Sequence, residues 1–355
     1  MGSERNDNPF TLDFGREPAE VIPRAGAMEE LVCAFTAESP SQHITLISGI
    51  RGCGKTVFMT EANKRIGARK DWITVELSPE QDMLSALVAK LGSEKILSRM
   101  IQRTQINLSF FGLGVKVEGN TPITNSEIAL DRMLADLKKH RKRVLICIDE
   151  AVNNQNMRIF ASTFQILLRK EHPVFLIMTG LYDNIRALQN QKTLTFLYRA
   201  PRINLQPLNI GSMADSYQRI FELDREAAVQ MARETRGYSF AFQVLGYFRY
   251  KYPQDKERIR QMYKQYLEEY VYEKVWAECS AMDRKVASAI AQTPDGKISK
   301  IREILKMDTN QFNPYRARLI RKGIVDGGIY GELHFTLPLF ENFILENENM
   351  SFPEE

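Results

Sequence analysis

Short apolar runs and segments of helical period alternate through the first two hundred residues of the chain. Four β-type runs lie at 44–48, 72–77, 144–148 and 174–178, and a fifth run of alternating character lies at 202–205. Helix-period segments separate these runs. Buried strands that alternate with helices are typical of a parallel sheet covered on both faces. The pattern therefore predicts an α/β domain.

The pattern changes near residue 207. From residue 214 to about residue 272 almost every stretch has helical period, and we expect breaks at Gly237, Gly246 and Pro253. This region predicts a helical domain, so we place the first domain at 1–207 and the second at 208–275.

A third domain is predicted at 276–355. It contains three predicted helices, the last of which ends at 322, and two short β-like runs joined by Gly327 and Gly328. The helices are expected at 283–292 and 298–306 and up to 322, and the β-like runs at 323–326 and 330–337.

The segment that follows the first β-type run fits the pattern G-x-x-x-x-G-K-[ST]. It reads Gly49-Ile50-Arg51-Gly52-Cys53-Gly54-Lys55-Thr56, and Val57 continues into a helical segment. Glycines let such a loop turn its backbone N–H groups inward, and the helix N-terminus adds partial positive charge at the same point. Lys55 can then reach the β- and γ-phosphates, and the Thr56 hydroxyl can bind Mg²⁺. Residues 49–57 are thus a candidate phosphate site.

Two acidic residues follow the run at 144–148. Asp149 is expected at the tip of a buried strand, where it would hold Mg²⁺ through water, and Glu150 is a candidate to polarise the attacking water. The run at 174–178 ends in Thr179. This residue either senses the γ-phosphate and orients water, or simply ends a strand as β-branched residues often do.

Composition narrows the class of protein without naming a function. The chain has 355 residues, of which 26% are charged and 44% hydrophobic, as in ordinary globular proteins. Its net charge of +4 is too small to indicate nucleic-acid binding by itself. Four cysteines without a CxxC pair predict neither a disulfide framework nor a zinc site, so we expect a reduced, cytoplasmic chain. No apolar run approaches the roughly 20 residues of a membrane span, and no membrane partner is expected.

Taken in order, these motifs resemble the AAA+ and STAND groups of P-loop ATPases, and most closely the archaeal-type and origin-recognition-like replication-initiator ATPases. The resemblance rests on the phosphate loop and on Ile148-Asp149-Glu150. Softer matches are Asn8-Pro9-Phe10, Ile22-Pro23-Arg24, Met178-Thr179-Gly180-Leu181, Phe196-Leu197-Tyr198-Arg199-Ala200, Leu205-Gln206-Pro207-Leu208 and Gly237-Tyr238-Ser239-Phe240.

The resemblance implies a sheet of strand order 5-1-4-3-2 and a helical lid, with ATP bound between them. We expect this ATP to be hydrolysed slowly. The resemblance also implies that the N-terminal arm contacts the adenine, with Arg24 among the nucleotide-binding residues. Arg199 matches the arginine that reaches the γ-phosphate of a neighbouring subunit; a surface salt bridge is the alternative, and Arg202 is the competing residue. The usual lid motif Gly-x-Pro reads Gly237-Tyr238-Ser239 here, and no arginine lies at the lid position where many AAA+ proteins sense phosphate.

Residues 281–340 resemble a winged helix-turn-helix with the Gly327-Gly328 turn in its wing. Between Ser280 and Val325 there are ten basic and four acidic residues, a net charge of +6. Lys and Arg contacts to phosphates supply most non-specific DNA affinity. We therefore expect duplex DNA contacts from the third helix, with protein contact as the alternative. The candidate DNA-binding residues are Tyr315, Arg316, Arg318, Arg321 and Lys322.

Three readings of function remain open. The first is an ATP-dependent switch that couples nucleotide state to DNA binding or assembly, with ATP or ADP, Mg²⁺ and double-stranded DNA as partners and a homo-oligomer formed through Arg199. The second is a STAND-like signalling ATPase whose winged helix contacts protein, and the third is a mobile-element helper ATPase. A β-hairpin predicted at 106–117 either contacts DNA or a neighbouring subunit, or packs on its own domain.

Overall fold

The computed structural model describes residues 7–13, 18–94 and 125–351, and the predicted hairpin at 106–117 lies outside these ranges. The chain divides into two compact units. One comprises Ala25–Ser48 and Lys55–Asn204, and we call it the sheet unit. The other comprises Met1–Arg24, Gly49–Gly54 and Leu205–Glu355, and we call it the helical unit.

The sheet unit is built on a five-stranded parallel sheet. Its order is β2-β3-β4-β1-β5, which confirms the 5-1-4-3-2 order implied by the resemblance. The two central strands β3 and β4 are almost entirely buried, as expected for a sheet covered on both faces. The strands are β1 (Ile44–Ser48), β2 (Trp72–Leu77), β3 (Arg143–Ile148), β4 (Val174–Gly180) and β5 (Arg202–Asn204).

Helices connect these strands, and their starts follow from local capping. Asn125 and Asn154 accept hydrogen bonds from the first free backbone N–H groups of the two helices that they precede. A short 3-10 helix, Thr195–Arg199, leads into β5. The helices of this unit are α1 (Ala25–Thr36), α2 (Lys55–Gly67), α3 (Met83–Ser93), α4 (Ser126–Lys139), α5 (Gln155–Arg169) and α6 (Tyr182–Gln189).

The helical unit begins its helices after residue 209. They are α7 (Ile210–Phe221), α8 (Arg225–Glu234), α9 (Ser239–Lys251), α10 (Lys256–Leu267), a turn of π-helix (Glu268–Tyr272) and α11 (Glu273–Ala277). The predicted break at Gly246 is wrong, because this residue lies inside α9. A Cβ at Gly246 would lie 2.5 Å from the Phe10 ring. The glycine therefore makes room for a packed aromatic side chain.

The N-terminal arm is anchored on the helical unit. Phe10 is buried and packs against the rings of Tyr217, Phe221 and Phe242. The Asn8 side-chain amide donates a hydrogen bond to the Tyr247 carbonyl at 3.2 Å. The motif Asn8-Pro9-Phe10 thus has a packing role in this structure.

The elements from residue 281 onwards form what we call the C-terminal module. They are α12 (Ala281–Ala291), α13 (Ile298–Leu305), α14 (Thr309–Arg321), β6 (Val325–Asp326), β7 (His334–Phe335) and α15 (Phe340–Ser351). Capping boxes start α12 at Ser280 and α14 at Asp308. The strands β6 and β7 pair antiparallel but are shorter than the predicted β-runs, so the loop between them is longer. Within the described ranges, no helix is long and apolar enough to cross a membrane.

Candidate functional site

The phosphate-loop segment Gly49–Gly54 lies within the helical unit. Gly52 and Gly54 have φ angles of 74° and 92°, a region that side-chain-bearing residues rarely adopt. A Cβ on Gly52 would lie 2.1 Å from the Tyr238 hydroxyl oxygen, and one on Gly49 would lie 2.6 Å from the Cys53 sulfur. Glycine at position 52 is therefore required by close packing as well as by backbone conformation, whereas at position 49 a Cβ would crowd the Cys53 side chain.

Three successive carbonyls of the loop accept hydrogen bonds from the start of α9. The Tyr238 hydroxyl donates to the Arg51 carbonyl at 2.7 Å, and the Phe240 N–H donates to the Gly52 carbonyl at 3.1 Å. The Ser239 hydroxyl donates to the Cys53 carbonyl at 3.0 Å. We call these three hydrogen bonds the carbonyl clasp.

The carbonyl clasp determines where the loop N–H groups point. In a trans peptide the C=O of one residue and the N–H of the next are antiparallel. With the carbonyls of Arg51 and Cys53 held against α9, the N–H groups of Gly52 and Gly54 point away from α9. Arg24 also donates to the Cys53 carbonyl, at 2.8 Å, and burial lowers the pKa of this guanidinium. Arg24 was predicted to contact a nucleotide, and here it supports the loop backbone.

The side chains of Ile50 and Arg51 are directed to other parts of the helical unit. The Arg51 guanidinium forms an ion pair of 2.9 Å with Glu278, which directly follows α11. Ile50 packs against the apolar core of this unit, and its Cβ lies 3.7 Å from where a Cβ on Gly323 would be. Any contact of these two residues with a phosphate would therefore come from their backbone.

The predicted metal-binding residues meet in the sheet unit. Thr56, at the start of α2, donates a hydrogen bond from its hydroxyl to Asp149 Oδ2 at 2.7 Å, and the Thr179 hydroxyl donates to Asp149 Oδ1. Strand register explains the second contact, since Ile148 pairs with Met178 and the next residue of each strand comes to the same edge. Thr179 is therefore hydrogen-bonded directly to the Asp149 carboxylate.

Glu150 differs from Asp149 in backbone conformation. Its φ is 51°, in the left-handed region, and its side chain is exposed. Its N–H donates to Asp149 Oδ1 at 3.0 Å and to the Thr179 hydroxyl oxygen at 3.3 Å. The surrounding contacts must outweigh the strain of this conformation, which Glu150 shares with other non-glycine residues of the described ranges.

Arg199 is the last residue of the 3-10 helix and is exposed. Across the ranges that the structure describes it forms no ion pair, so the surface salt bridge considered as its alternative is not seen there. The competing residue, Arg202, places its guanidinium 6.0 Å from the centre of the Tyr198 ring.

Two of the candidate DNA-binding residues are held inside the C-terminal module. Arg318 contacts Asp283 Oδ1 through Nε at 2.7 Å and through Nη2 at 2.6 Å, and the Lys322 ammonium lies 3.7 Å from Asp283 Oδ2. Asp283 is only 1% exposed. Burial opposes its ionisation, but hydrogen bonds from Arg318 and Ser280 and the two positive charges outweigh burial, and the pKa of Asp283 is lowered.

The other three candidates differ in exposure. Tyr315 is half-buried, with the Arg318 guanidinium 5.1 Å from its ring centre. Arg316 is half-buried beside Gly327, and Arg321 is exposed. The candidate cations thus lie on α14 or directly after it, and the sequence did not show which of them Asp283 engages.

Sequence reasoning assigned no contact to Tyr238 or Ser239. One signal was available, because tyrosine is a rare residue at the position before a helix, where Ser, Thr, Asp or Asn usually accepts a backbone hydrogen bond. Such a residue calls for another partner, which here is the loop carbonyl of Arg51.

Comparison with known proteins establishes the fold. A family model described as a domain of unknown function (DUF8462) matches residues 269–344. No curated protein sequence matches the chain. The chain is similar to the Walker-type ATPase PABY2304 of Pyrococcus abyssi, with a TM-score of 0.60, 14% identity, and 92% of this chain and 96% of that one covered.

The chain is also similar to the Aeropyrum pernix ORC2 protein in its ADPNP–ADP complexes, with a TM-score of 0.57 and 14% identity over 96% of this chain and 98% of that one. Together with the strand order, these likenesses show that the chain shares the fold of these two proteins.

Proposed function

We propose that this chain binds ATP with Mg²⁺ and hydrolyses it slowly, as a molecular switch. The observation that carries the proposal is the loop Gly49–Gly54, whose carbonyls are held against α9 so that the N–H groups of Gly52 and Gly54 point the other way. Such N–H groups bind phosphate oxygens, and the chain continues directly into α2 with Lys55 and Thr56. The two similar structures are a Walker-type ATPase and a protein in complex with ADPNP and ADP, which supports the same reading.

The residues around Asp149 suit Mg²⁺. This ion prefers hard oxygen ligands and is usually held by only one or two protein groups in addition to phosphates and water. The Thr56 hydroxyl and the Asp149 carboxylate, whose oxygens lie 2.7 Å apart, provide that set. When bound, Mg²⁺ supplies neutralisation of phosphate charge.

The remaining candidate residues have three separate roles: one contacts the attacking water, one orients the Asp149 carboxylate, and one contacts the phosphates. In this proposal Glu150 accepts a hydrogen bond from the attacking water, and Thr179 fixes the orientation of the Asp149 carboxylate. Lys55 contacts the β- and γ-phosphates.

ATP turnover by two matched glutamine variants tests this proposal. Glu150 and Glu171 are both exposed glutamates of the sheet unit with left-handed backbone, at φ angles of 51° and 56°. We expect Glu150→Gln to lower turnover roughly 100-fold or more while ATP still binds, as loss of a general base does. Glu171→Gln should leave turnover unchanged. Equal turnover in wild type and Glu150→Gln would refute the assignment of Glu150, and unchanged ATP binding in Lys55→Ala would refute the site.

We further propose that the C-terminal module binds duplex DNA and that nucleotide state alters this binding. The support is its net charge of +6 between Ser280 and Val325, together with the half-buried Arg316 and the exposed Arg321 on α14. The double variant Arg316→Ala/Arg321→Ala should weaken DNA binding at low salt and reduce the slope of log affinity against log salt by about 1 to 2. As a matched control, Lys256→Ala/Arg260→Ala removes two exposed cations from α10. Unchanged DNA affinity in the α14 variant would refute this proposal.

Contact with protein is a second candidate for the C-terminal module. The observation that favours it is an exposed apolar tip in the loop between β6 and β7, where Ile329 is 57% and Tyr330 is 102% exposed. If ATP turnover and nucleotide retention are the same with and without duplex DNA, and no DNA binding is measured at low salt, this second function is favoured.

Arg199 is proposed to act in a neighbouring subunit. Its exposure at the end of the 3-10 helix supports this role. Turnover per chain should then rise with protein concentration in the wild type and stay low in Arg199→Ala. Concentration-independent turnover that is unaffected by Arg199→Ala would rule it out.

A further inference from the structure

The start of α9 is capped in an unusual way. Tyr238 occupies the position before the helix, and its side chain makes no hydrogen bond to the first turn. The first N–H groups of a helix have no acceptor within the helix. Here the N–H of Phe240 finds its acceptor in the Gly52 carbonyl, at 3.1 Å. The loop therefore caps the helix, and the positive end of the helix faces the loop carbonyls.

The two hydroxyls next to this bond complete the contact. Tyr238 is 5% exposed, and burial raises the pKa of its hydroxyl well above the ordinary value, so the group stays protonated and donates at any physiological pH. Ser239 donates to the next carbonyl but one, that of Cys53. Three consecutive residues, 238–240, thus hold three consecutive carbonyls.

We propose that Tyr238 and Ser239 are positioning residues of the phosphate loop, whose hydroxyls fix the loop carbonyls and thereby hold the N–H groups of Gly52 and Gly54 ready for phosphate. This inference rests on the proposed binding of ATP. Through these hydrogen bonds α9 acts on the nucleotide by way of the loop backbone.

Loss of one hydroxyl should weaken nucleotide binding without abolishing it. Without its donor, the peptide plane between Arg51 and Gly52 or between Cys53 and Gly54 is free to rotate, and the N–H on that plane is no longer aligned with a phosphate oxygen. A hydrogen bond to a charged oxygen that is lost in this way corresponds to about a 10-fold rise in the Kd for ATP.

Three buried tyrosines of the helical unit provide a matched comparison. The hydroxyl of Tyr238 donates to the loop, that of Tyr217 donates to the Phe242 carbonyl at 2.8 Å, and that of Tyr263 donates to the Glu234 carbonyl at 3.1 Å. Each Tyr→Phe change removes one buried hydroxyl and keeps the ring. A general loss of stability should therefore appear in all three variants, and a loop-specific effect in one.

The experiment measures the Kd of a fluorescent ATP analogue with Mg²⁺ and the melting temperature of the free protein. We expect comparable small falls in melting temperature for Tyr217→Phe, Tyr238→Phe and Tyr263→Phe, with a roughly 10-fold higher Kd for Tyr238→Phe alone. Ser239→Ala should also raise the Kd, and Ser239→Thr, which keeps the hydroxyl, should restore it. Ser239→Ala carries the test by itself if Tyr238→Phe fails to fold.

The outcomes separate this inference from the proposed function. If Lys55→Ala abolishes binding while Tyr238→Phe and Ser239→Ala bind as tightly as the wild type, ATP binding stands and the positioning role is overturned. An equal rise in Kd for Tyr263→Phe also overturns it, because the effect is then one of general stability. If the wild-type protein does not bind the analogue, the proposed function fails and the inference fails with it.

Discussion

Replacement of Arg318 should destabilise the C-terminal module rather than act only on DNA. Arg318 makes two contacts, of 2.7 and 2.6 Å, to a single oxygen of Asp283, whose side chain is 1% exposed. Arg318→Ala leaves this carboxylate with the more distant ammonium of Lys322, at 3.7 Å, and with its capping contact to Ser280. The variant therefore contains a buried charge that is poorly compensated.

The magnitude follows from the burial of each partner. Removing one member of a buried ion pair costs about 3–5 kcal/mol. Arg318 is 34% exposed and Lys322 remains nearby, so we expect about 2–3 kcal/mol here. In a unit of this size, each kcal/mol lowers the melting temperature by about 2–4 °C, which gives a fall of roughly 4–12 °C.

Thermal unfolding followed by circular dichroism, with Asn313→Ala as an exposed control on the same helix, measures this effect. The lowered pKa of Asp283 means that its ionised form stabilises the wild type above the ordinary carboxyl pKa of about 3.9, and that this contribution is lost as pH falls through the folded-state pKa. In Arg318→Ala, protonation relieves the uncompensated charge. The difference in melting temperature between the wild type and Arg318→Ala should therefore become smaller as pH falls.

Two results would refute the reasoning. One is a melting temperature of Arg318→Ala within about 1 °C of that of Asn313→Ala at pH 7, since surface substitutions change stability by less than about 0.5 kcal/mol. The other is a difference in melting temperature between the wild type and Arg318→Ala that increases toward acid pH. Either would show that the contact with Asp283 does not hold α14 in the module.

Three further variants have definite expectations. Gly246→Ala should lower the free energy of unfolding by about 1–3 kcal/mol in a urea titration, because the new Cβ would lie 2.5 Å from the Phe10 ring and this crowding outweighs the gain in helix propensity. An unchanged urea midpoint would contradict this packing. Thr179→Val should lower kcat on the order of 10-fold in a steady-state ATPase assay, since Asp149 loses a charge-assisted hydrogen bond. A change confined to KM would instead assign Thr179 to nucleotide binding. Gly52→Ala should raise the Kd for ATP roughly 100-fold or more in a calorimetric titration, because a φ of 74° and a tyrosine hydroxyl 2.1 Å away both exclude a Cβ. A Kd within tenfold of the wild-type value would contradict the need for glycine at this position.

The sheet could be predicted closely because β1, β3 and β4 are buried along almost their whole length. Continuous apolar runs of five or six residues mark such strands, and β1 and β2 begin and end where the runs at 44–48 and 72–77 do. Once the strands are parallel, their carboxyl ends meet at one edge. The proximity of Asp149 and Thr179 followed from that rule, while their roles in hydrolysis stay predictions.

Other features depend on contacts between distant parts of the chain. Arg318 and Asp283 are 35 positions apart, and helical period alone does not show which face of α14 meets a buried acid. Gly246 was expected to break a helix because glycine has low helix propensity, yet the ring of Phe10, more than two hundred residues earlier, occupies the space that a side chain would need. The hydrogen bonds from residues 238–240 to the loop could not be predicted from the sequence for the same reason, since they join distant parts of the chain.

The assignment of Gly49–Gly54 to the helical unit has a consequence for local unfolding. Proteins open in cooperative segments, and the amide protons of a segment exchange with solvent at the rate at which that segment opens. Because the loop carbonyls are bonded to α9, the amide protons of the loop should exchange in step with the start of α9 rather than with β1, which directly precedes the loop in the chain. Sequence neighbours on either side of Gly49 would then belong to different exchange groups.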